Sequence, residues 1–410
     1  MRTRVKFRFA AVLMVLFVSD LPPAFGQTEK DEVIQKLIAR VEALEREVSE
    51  LKQGAAPVPA VATSPPASVL ERAAPSETAD VTPVSEKRFS FHGYADVGFL
   101  RNQDGDGSKR FALGEVDLFA TARVSPRVTA LMEAVLETDN QVLVSSVPLN
   151  LERLLLQYRY NDYFNVDIGS YRTAIGYYST AYLRGSWLQT AMRRPRLFEF
   201  EDDGGFLPLH NVGVSMNGEL PSGRFGLSYV VEVGSSRNYS HPSVGFDFSQ
   251  NAAVNVALCA RPQSIPGLEV GFSSYHDRFS PLQGYRMSRS VWTAHAVYQA
   301  HRVEFLNEAV LAKFRNPTDG FATVPGFYSQ ISYRTGASWR PYFRYDYVNA
   351  RGRGLVGDYA PQIVPWRTAA TGGVRYDLSD AIALKFELVR ENDRLQTPWV
   401  QAGVQVAFTF

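Results

Sequence analysis

The chain of 410 residues is poor in several things that would mark other kinds of protein. Cys259 is its one cysteine, so no internal disulfide can form and a disulfide scaffold is excluded. Lys and Arg number 43 against 42 Asp and Glu, which leaves no electrostatic footprint for nucleic acid as a partner. No stretch approaches the roughly 20 continuous apolar residues of a transmembrane helix. Motifs of catalysis are missing too: there is no His-Glu-x-x-His, no Gly-x-Ser-x-Gly and no Gly-Lys-Ser/Thr phosphate loop. The 6 histidines are scattered. Asp104, Asp106 and Glu115 have a calcium-loop-like spacing, but Lys109 stands where such a loop needs glycine. The expectation is therefore no metal, no cofactor and no enzymatic activity, with Cys259 a small wall residue.

What is present begins with a leader. Arg2, Arg4, Lys6 and Arg8 precede an apolar run over 9–18, and Ala24 and Gly26 offer small residues at cleavage positions. This reads as a secretory signal over 1–26, too short to span a bilayer. An exported chain without an apolar helix must make any membrane span from strands.

Residues 28–53 are of another kind. Ile34, Leu37, Val41, Leu44, Val48 and Leu51 are spaced 3-4-3-4-3, the seam of a left-handed coiled coil. A helix this short is marginal alone and argues for self-association. β-Branched residues alternating with Leu favour a dimer. However, Arg40 and Glu45 bracket the Val41–Leu44 pair in a pattern that resembles short trimeric coiled coils, and a homotrimer is the expectation. Residues 54–88 are rich in Ala and Pro without periodicity and read as a semi-extended linker.

From 89 to 410 the dominant signal is period-2 alternation. At the C-terminus Val400, Ala402, Val404, Val406, Phe408 and Phe410 share one parity, and Gln401, Gly403, Gln405, Ala407 and Thr409 the other. Elsewhere Phe343 and Tyr345 oppose Arg344 and Asp346, while Leu384, Phe386 and Leu388 oppose Lys385 and Glu387. Strand candidates begin near residues 89, 111, 127, 150, 164, 211, 224, 252, 268, 289, 303, 327, 340, 367, 380 and 399, sixteen in all. Every second connection is short: 125–127, 161–163, 220–223, 261–267, 300–301, 335–338 and 377–380. The intervening ones, such as 102–110, 234–250 and 350–366, are longer and richer in Gly, Pro and charge. Short turns on one rim and long loops on the other fit a transmembrane antiparallel β-barrel, all-β apart from the coiled coil. Its apolar parity would face lipid, and its ionisable parity a lumen wide enough to hold water.

A final strand alternating to a terminal Phe410 resembles the closing strand of bacterial outer-membrane barrels. The architecture over 89–410 is similar to the trimeric sixteen-stranded porin superfamily. With the N-terminal coiled coil, it looks like the coiled-coil-bearing, phosphate-selective-porin-like branch. The resemblance implies an outer-membrane location with the coiled coil in the periplasm, membrane lipid around the barrel, and small hydrophilic solutes or ions as cargo.

One connection, 171–210, is far longer than the rest, and loops of that length are usually functional or disordered. Its aromatic residues, among them Tyr177, Tyr178, Trp187, Phe198 and Phe206, give it material to pack. In the porins it resembles, this connection folds inward as a constriction. The expected constriction residues are Arg193, Arg194, Arg196, Glu199, Glu201, Asp202 and Asp203. The expected wall charges are Arg334, Arg340, Arg344, Arg375, Lys385, Glu133 and Glu137, all inward by parity. Acids on the loop against bases on the wall would set a transverse field, giving a diffusion pore with weak ion selectivity. The mixed lumen departs from the basic ladders of anion-selective relatives. Two other classes stay open: a structural or adhesive barrel, and an outer-membrane barrel enzyme. A plugged active transporter is excluded, because it needs about 22 strands.

Overall fold

The computed structural model describes residues 88–102, 109–136, 149–182, 185–200, 205–236, 252–279, 287–316, 320–353, 366–394 and 397–410. The chain divides into two units, Met1–Ala67 and Ser68–Phe410. The first unit, with the expected leader and coiled coil, lies outside the described residues, as does the linker through residue 87.

The described part of the second unit is nearly all strand. In order come β1 (Phe89–Asn102), β2 (Lys109–Ser125), β3 (Val128–Leu136), β4 (Leu149–Asn161), β5 (Phe164–Arg172) and β6 (His210–Glu219). There follow β7 (Leu227–Ser236), β8 (Ala252–Ala260), β9 (Leu268–Phe279), β10 (Met287–Ala300), β11 (Val303–Arg315) and β12 (Phe321–Tyr333). The last are β13 (Trp339–Val348), β14 (Arg351–Arg353), β15 (Arg367–Ser379), β16 (Ile382–Asp393) and β17 (Trp399–Thr409). Both β13 and β14 pair with β12, so they are two segments of one stave, and the sheet has sixteen staves. Each stave runs antiparallel to its neighbours, and β1 pairs with β17 from Tyr94↔Thr409 to Asn102↔Gln401, which closes the sheet. Gly93 and Phe410 add a reciprocal pair of backbone hydrogen bonds, 2.9 and 3.1 Å, at the seam. Closure leaves no strand edge, which is why so apolar a terminal strand can end the chain.

Burial follows the pleat. Along β16, Lys385, Glu387, Val389 and Glu391 are buried while Phe386 and Leu388 are exposed. In β13 Phe343 and Tyr345 are exposed, and Tyr342, Arg344 and Asp346 are buried. An outer surface rich in Phe, Leu, Ile and Val over most of the staves is suited to hydrocarbon. Among the described residues no helix is long and apolar enough to cross a membrane.

The predicted turns recur, on the rim that holds the start of β1 and the end of β17. One begins at His301, whose φ of 55° is one that a tight hairpin imposes even on a non-glycine residue. Strand starts agree closely except at β12, expected at 327 and found at Phe321. Pro325 and Gly326 lie inside this strand although proline cannot donate to a ladder. The neighbouring stave is interrupted there: Pro325 faces the gap between β13 and β14, and accepts a hydrogen bond from the Asn349 amide at 3.0 Å.

The interior differs from an evenly wet lumen. Across β10, β11 and β12 the inward parity carries Val291, Val297, Leu306, Val310, Ala312, Phe314, Ala322 and Val324, all buried. These pack with Ile175, Tyr178, Leu197, Phe198, Phe206, Leu207 and Leu209 of the long connection. Burying each of the larger side chains contributes about 1.5–3 kcal/mol. A dry core therefore sits against one side of the barrel's inner wall.

Candidate functional site

The site is built on the connection between β5 and β6. Its two ends are tied together by the Thr173 amide donating to the Leu209 carbonyl at 2.9 Å, and by Asn211 Nδ2 donating to Thr173 Oγ1 at 3.0 Å. Between them the described residues include a helical turn (Tyr178–Ala181) and a 3-10 turn (Arg196–Phe198). Most of its backbone polar groups cannot pair with one another, so they need partners elsewhere. The wall supplies them from inward-pointing charged residues.

Glu232 of β7 accepts the Ala174 amide at 3.1 Å, and Asn255 of β8 donates to the Ala174 carbonyl at 3.1 Å. Glu308 of β11 is buried and accepts the amides of Tyr177 (2.6 Å) and Tyr178 (2.9 Å) together with the Tyr328 hydroxyl (2.6 Å). Gly176 permits this: its φ is +71°, and an added Cβ would stand 2.3 Å from Glu308 Oε2. Lys385 of β16 donates to the carbonyls of Ser186 and Ala191, the latter at 2.9 Å. Arg375 of β15 donates to the carbonyls of Trp187 (2.5 Å) and Gln189 (3.0 Å). Glu387 accepts the Met192 amide at 2.9 Å, and Asp346 that of Arg196 at 3.0 Å. Arg344 completes the set by donating to the carbonyls of Arg193 (2.6 Å) and Arg194 (3.1 Å). Charge-assisted hydrogen bonds of this kind are about twice as strong as neutral ones.

The expected site residues among those described fall into three groups. Arg344, Arg375 and Lys385 hold the connection's backbone, and Arg340 reaches it at Thr190 Oγ1, 3.2 Å. Arg193, Arg194, Arg196 and Glu199 lie on the connection and are paired. Arg193 meets Glu387 at 3.5 Å; Arg194 meets Glu115 of β2 at 3.7 Å and stacks 3.3 Å over Phe200. Arg196 pairs with Glu199 and with Glu391, and Glu199 also meets Arg367 at 3.2 Å. Glu133 and Arg334 stand apart: Glu133 takes Arg153 and Arg172, and Arg334 approaches Asp377 at 3.9 Å. Glu137, Glu201, Asp202 and Asp203 lie outside the described residues.

Opposed rows of free charge across water are thus not what the described residues form. Arg193, Arg194, Arg196 and Glu199 sit in contact with opposite charges, Glu232 and Glu308 accept backbone amides, and three wall cations are spent on backbone carbonyls. Burial presses the Arg193 guanidinium below its ordinary pKa, and Glu387 restores part of the loss. Arg196 resists the same burial through Glu199 and Glu391, and its pKa is raised. Burial lifts the phenols of Tyr177, Tyr178 and Tyr182, which stay neutral.

Residues the sequence reading did not select include Glu115, Glu232, Glu308 and Glu391. Glu308 carried a legible signal: it is an acid between Leu306 and Val310 on one strand parity, where a lone carboxylate must find donors. From β2 through β11 to β16, the contacts reach staves on widely separated parts of the closed sheet.

A closed sixteen-stave barrel with apolar outer parity and a segment bound to its inner parity has the architecture of a porin-like β-barrel. The comparisons agree on that class. By sequence the chain matches no protein-family model and no curated protein. By structure it is similar to an anion-selective porin from Comamonas acidovorans, with 13% identity, a TM-score of 0.56, and 78% of this chain and 99% of that one covered. It is also similar to the outer membrane channel DcaP of Acinetobacter baumannii, with 12% identity, a TM-score of 0.55 and coverage of 78% and 97%. The outer membrane protein OmpT of Vibrio cholerae matches with 10% identity, a TM-score of 0.54 and the same coverage. Identities this low speak for the shared fold alone.

Proposed function

We propose that this protein is an outer-membrane porin, a passive channel for small hydrophilic solutes or ions rather than an enzyme. The connection between β5 and β6 narrows its lumen. The observation that supports this reading is the set of backbone clamps from Glu232, Glu308, Arg344, Arg375, Lys385 and Glu387, which attach that connection to the inner parity of the wall. A segment so held constricts permanently, without a gating motion. Because the charges around it are paired locally, the channel discriminates weakly between cations and anions. Residues 1–26 act as the export signal, and 28–53 as a periplasmic coiled coil joining three barrels, as in the coiled-coil-bearing porin branch. The Ala- and Pro-rich stretch 54–88 spaces the coil from the membrane.

The test is permeation. The full chain reconstituted in liposomes admits the smallest uncharged sugars and excludes larger ones in a swelling assay. Its reversal potential under a potassium chloride gradient stays close to zero. The dry core on one side of the lumen favours a second reading, a structural barrel with its lumen closed, and liposomes impermeable to every sugar would decide for that one.

A further inference from the structure

The channel reading leaves unused a cluster on the inner wall below the start of the clamped connection. Cys259 lies on β8, Glu269 on β9 and His295 on β10. One ligand atom from each (thiol sulfur, carboxylate oxygen, ring nitrogen) lies within 4.8 Å of the other two. Sheet register explains the meeting: Cys259 is opposite Gly271, and Gly271 is opposite His295. Gly271 has no side chain to separate its neighbours, and a Cβ built there would stand 2.2 Å from His295 Cε1. The imidazole therefore lies across the glycine toward the thiol and the carboxylate.

His295 itself supplies the second observation. Its side chain is only 9% exposed, yet Nδ1 makes no hydrogen bond and Nε2 faces only the Glu269 carboxylate. A buried polar group without a partner is uncommon and calls for an explanation. Nε2 stands 3.5 Å from Glu269 Oε1. That separation matches the roughly 3.3 Å between two ligands of a tetrahedral zinc ion with bonds of about 2.0–2.1 Å. The sulfur lies within 4.8 Å of both, so bringing it in requires at most about 1.3 Å of side-chain adjustment. The other carboxylate oxygen, Oε2, is held by Arg261 Nε at 2.8 Å, an arrangement that orients a ligating carboxylate. Over the cluster sits the Tyr177 ring, 5.9 Å from the imidazole, with its hydroxyl anchored to Gln299 at 3.1 Å.

We infer that Cys259, Glu269 and His295 form a binding site for a borderline or soft divalent ion of the zinc class. The donor set decides the class. One sulfur, one nitrogen and one oxygen with a fourth position left for water suits zinc, whereas calcium and magnesium take oxygen ligands. On binding, the Cys259 thiol proton passes to solvent as the sulfur–metal bond forms, and the imidazole binds in its neutral form. One ion would join three neighbouring staves beneath the root of the connection. No sequence motif announces such a site, because each ligand comes from a different strand.

The experiment uses the untagged full chain, refolded in detergent after chelator treatment and titrated with cobalt(II) or zinc(II). Expected is saturable binding of one ion per chain, with a thiolate-to-cobalt charge-transfer band that zinc displaces and magnesium leaves in place. Cys259→Ser abolishes the band, and His295→Gln weakens zinc binding at least tenfold. Both variants are checked for the barrel's heat-modifiable gel mobility, and His276→Gln, at an exposed histidine on the outer face of β9, serves as a folded control that keeps the band. No saturable binding by the folded wild type overturns the inference. Binding unchanged in Cys259→Ser and His295→Gln does so as well, since it marks an adventitious ion only.

Discussion

Gly176 and Glu308 act as one device. The glycine's φ of +71° turns two consecutive amides toward a single carboxylate, and the space above its Cα is taken by that carboxylate. Gly176→Ala then incurs backbone strain of about 1–3 kcal/mol and pushes Glu308 away from the Tyr177 and Tyr178 amides. We expect a lower thermal unfolding midpoint in detergent and faster proteolysis within residues 176–200. Glu308→Gln is the milder test. A neutral amide retains one acceptor oxygen and turns an NH2 toward donors that need acceptors, so about 1–3 kcal/mol is lost. Its unfolding midpoint should fall while the closed barrel still forms. An unchanged midpoint would mean that Glu308 does not hold the connection.

The strands were legible in the sequence and the clamps were not, for a single physical reason. Alternation is local: Leu384, Phe386 and Leu388 declare their face within a few residues, and Lys385 and Glu387 the other. The bond from Lys385 to the Ala191 carbonyl joins residues 194 positions apart, and that from the Tyr177 amide to Glu308 joins residues 131 apart. Parity could put Arg344, Arg375 and Lys385 on the inner face but could not show that backbone carbonyls would meet them there. Likewise Leu306, Val310 and Phe314 could be read as inward, yet only the connection's return over them makes that stretch dry. A prediction belongs to this level. Lys385→Met removes a buried ammonium, whose desolvation offsets much of what its hydrogen bonds contribute, so the barrel's overall stability changes little. The carbonyls of Ser186 and Ala191 lose their donor, however, and the connection loosens locally. Proteolytic nicking between residues 185 and 195 should rise several-fold with the unfolding midpoint nearly constant. A large drop in the midpoint without nicking would contradict this.

At the scale of the molecule, the proposal joins a closed barrel to a short coiled coil that is stable only in company. Removing residues 28–53 should lower the trimeric fraction measured by light scattering in mild detergent and leave the barrel's strand content unchanged. A wild-type mass equal to one chain would refute the assembly. The central claim is that water passes through this barrel and that the connection between β5 and β6 limits the flow. Because Thr173 already bonds to Leu209, residues 176–206 can be replaced by a short Gly-Ser bridge without separating β5 from β6. The most direct measurement is single-channel conductance in a planar bilayer, wild type against this shortened chain, each with its folded state verified by gel mobility. The account predicts discrete openings in the wild type and a several-fold larger conductance after excision, while equal conductances, or silence from both proteins, would contradict it.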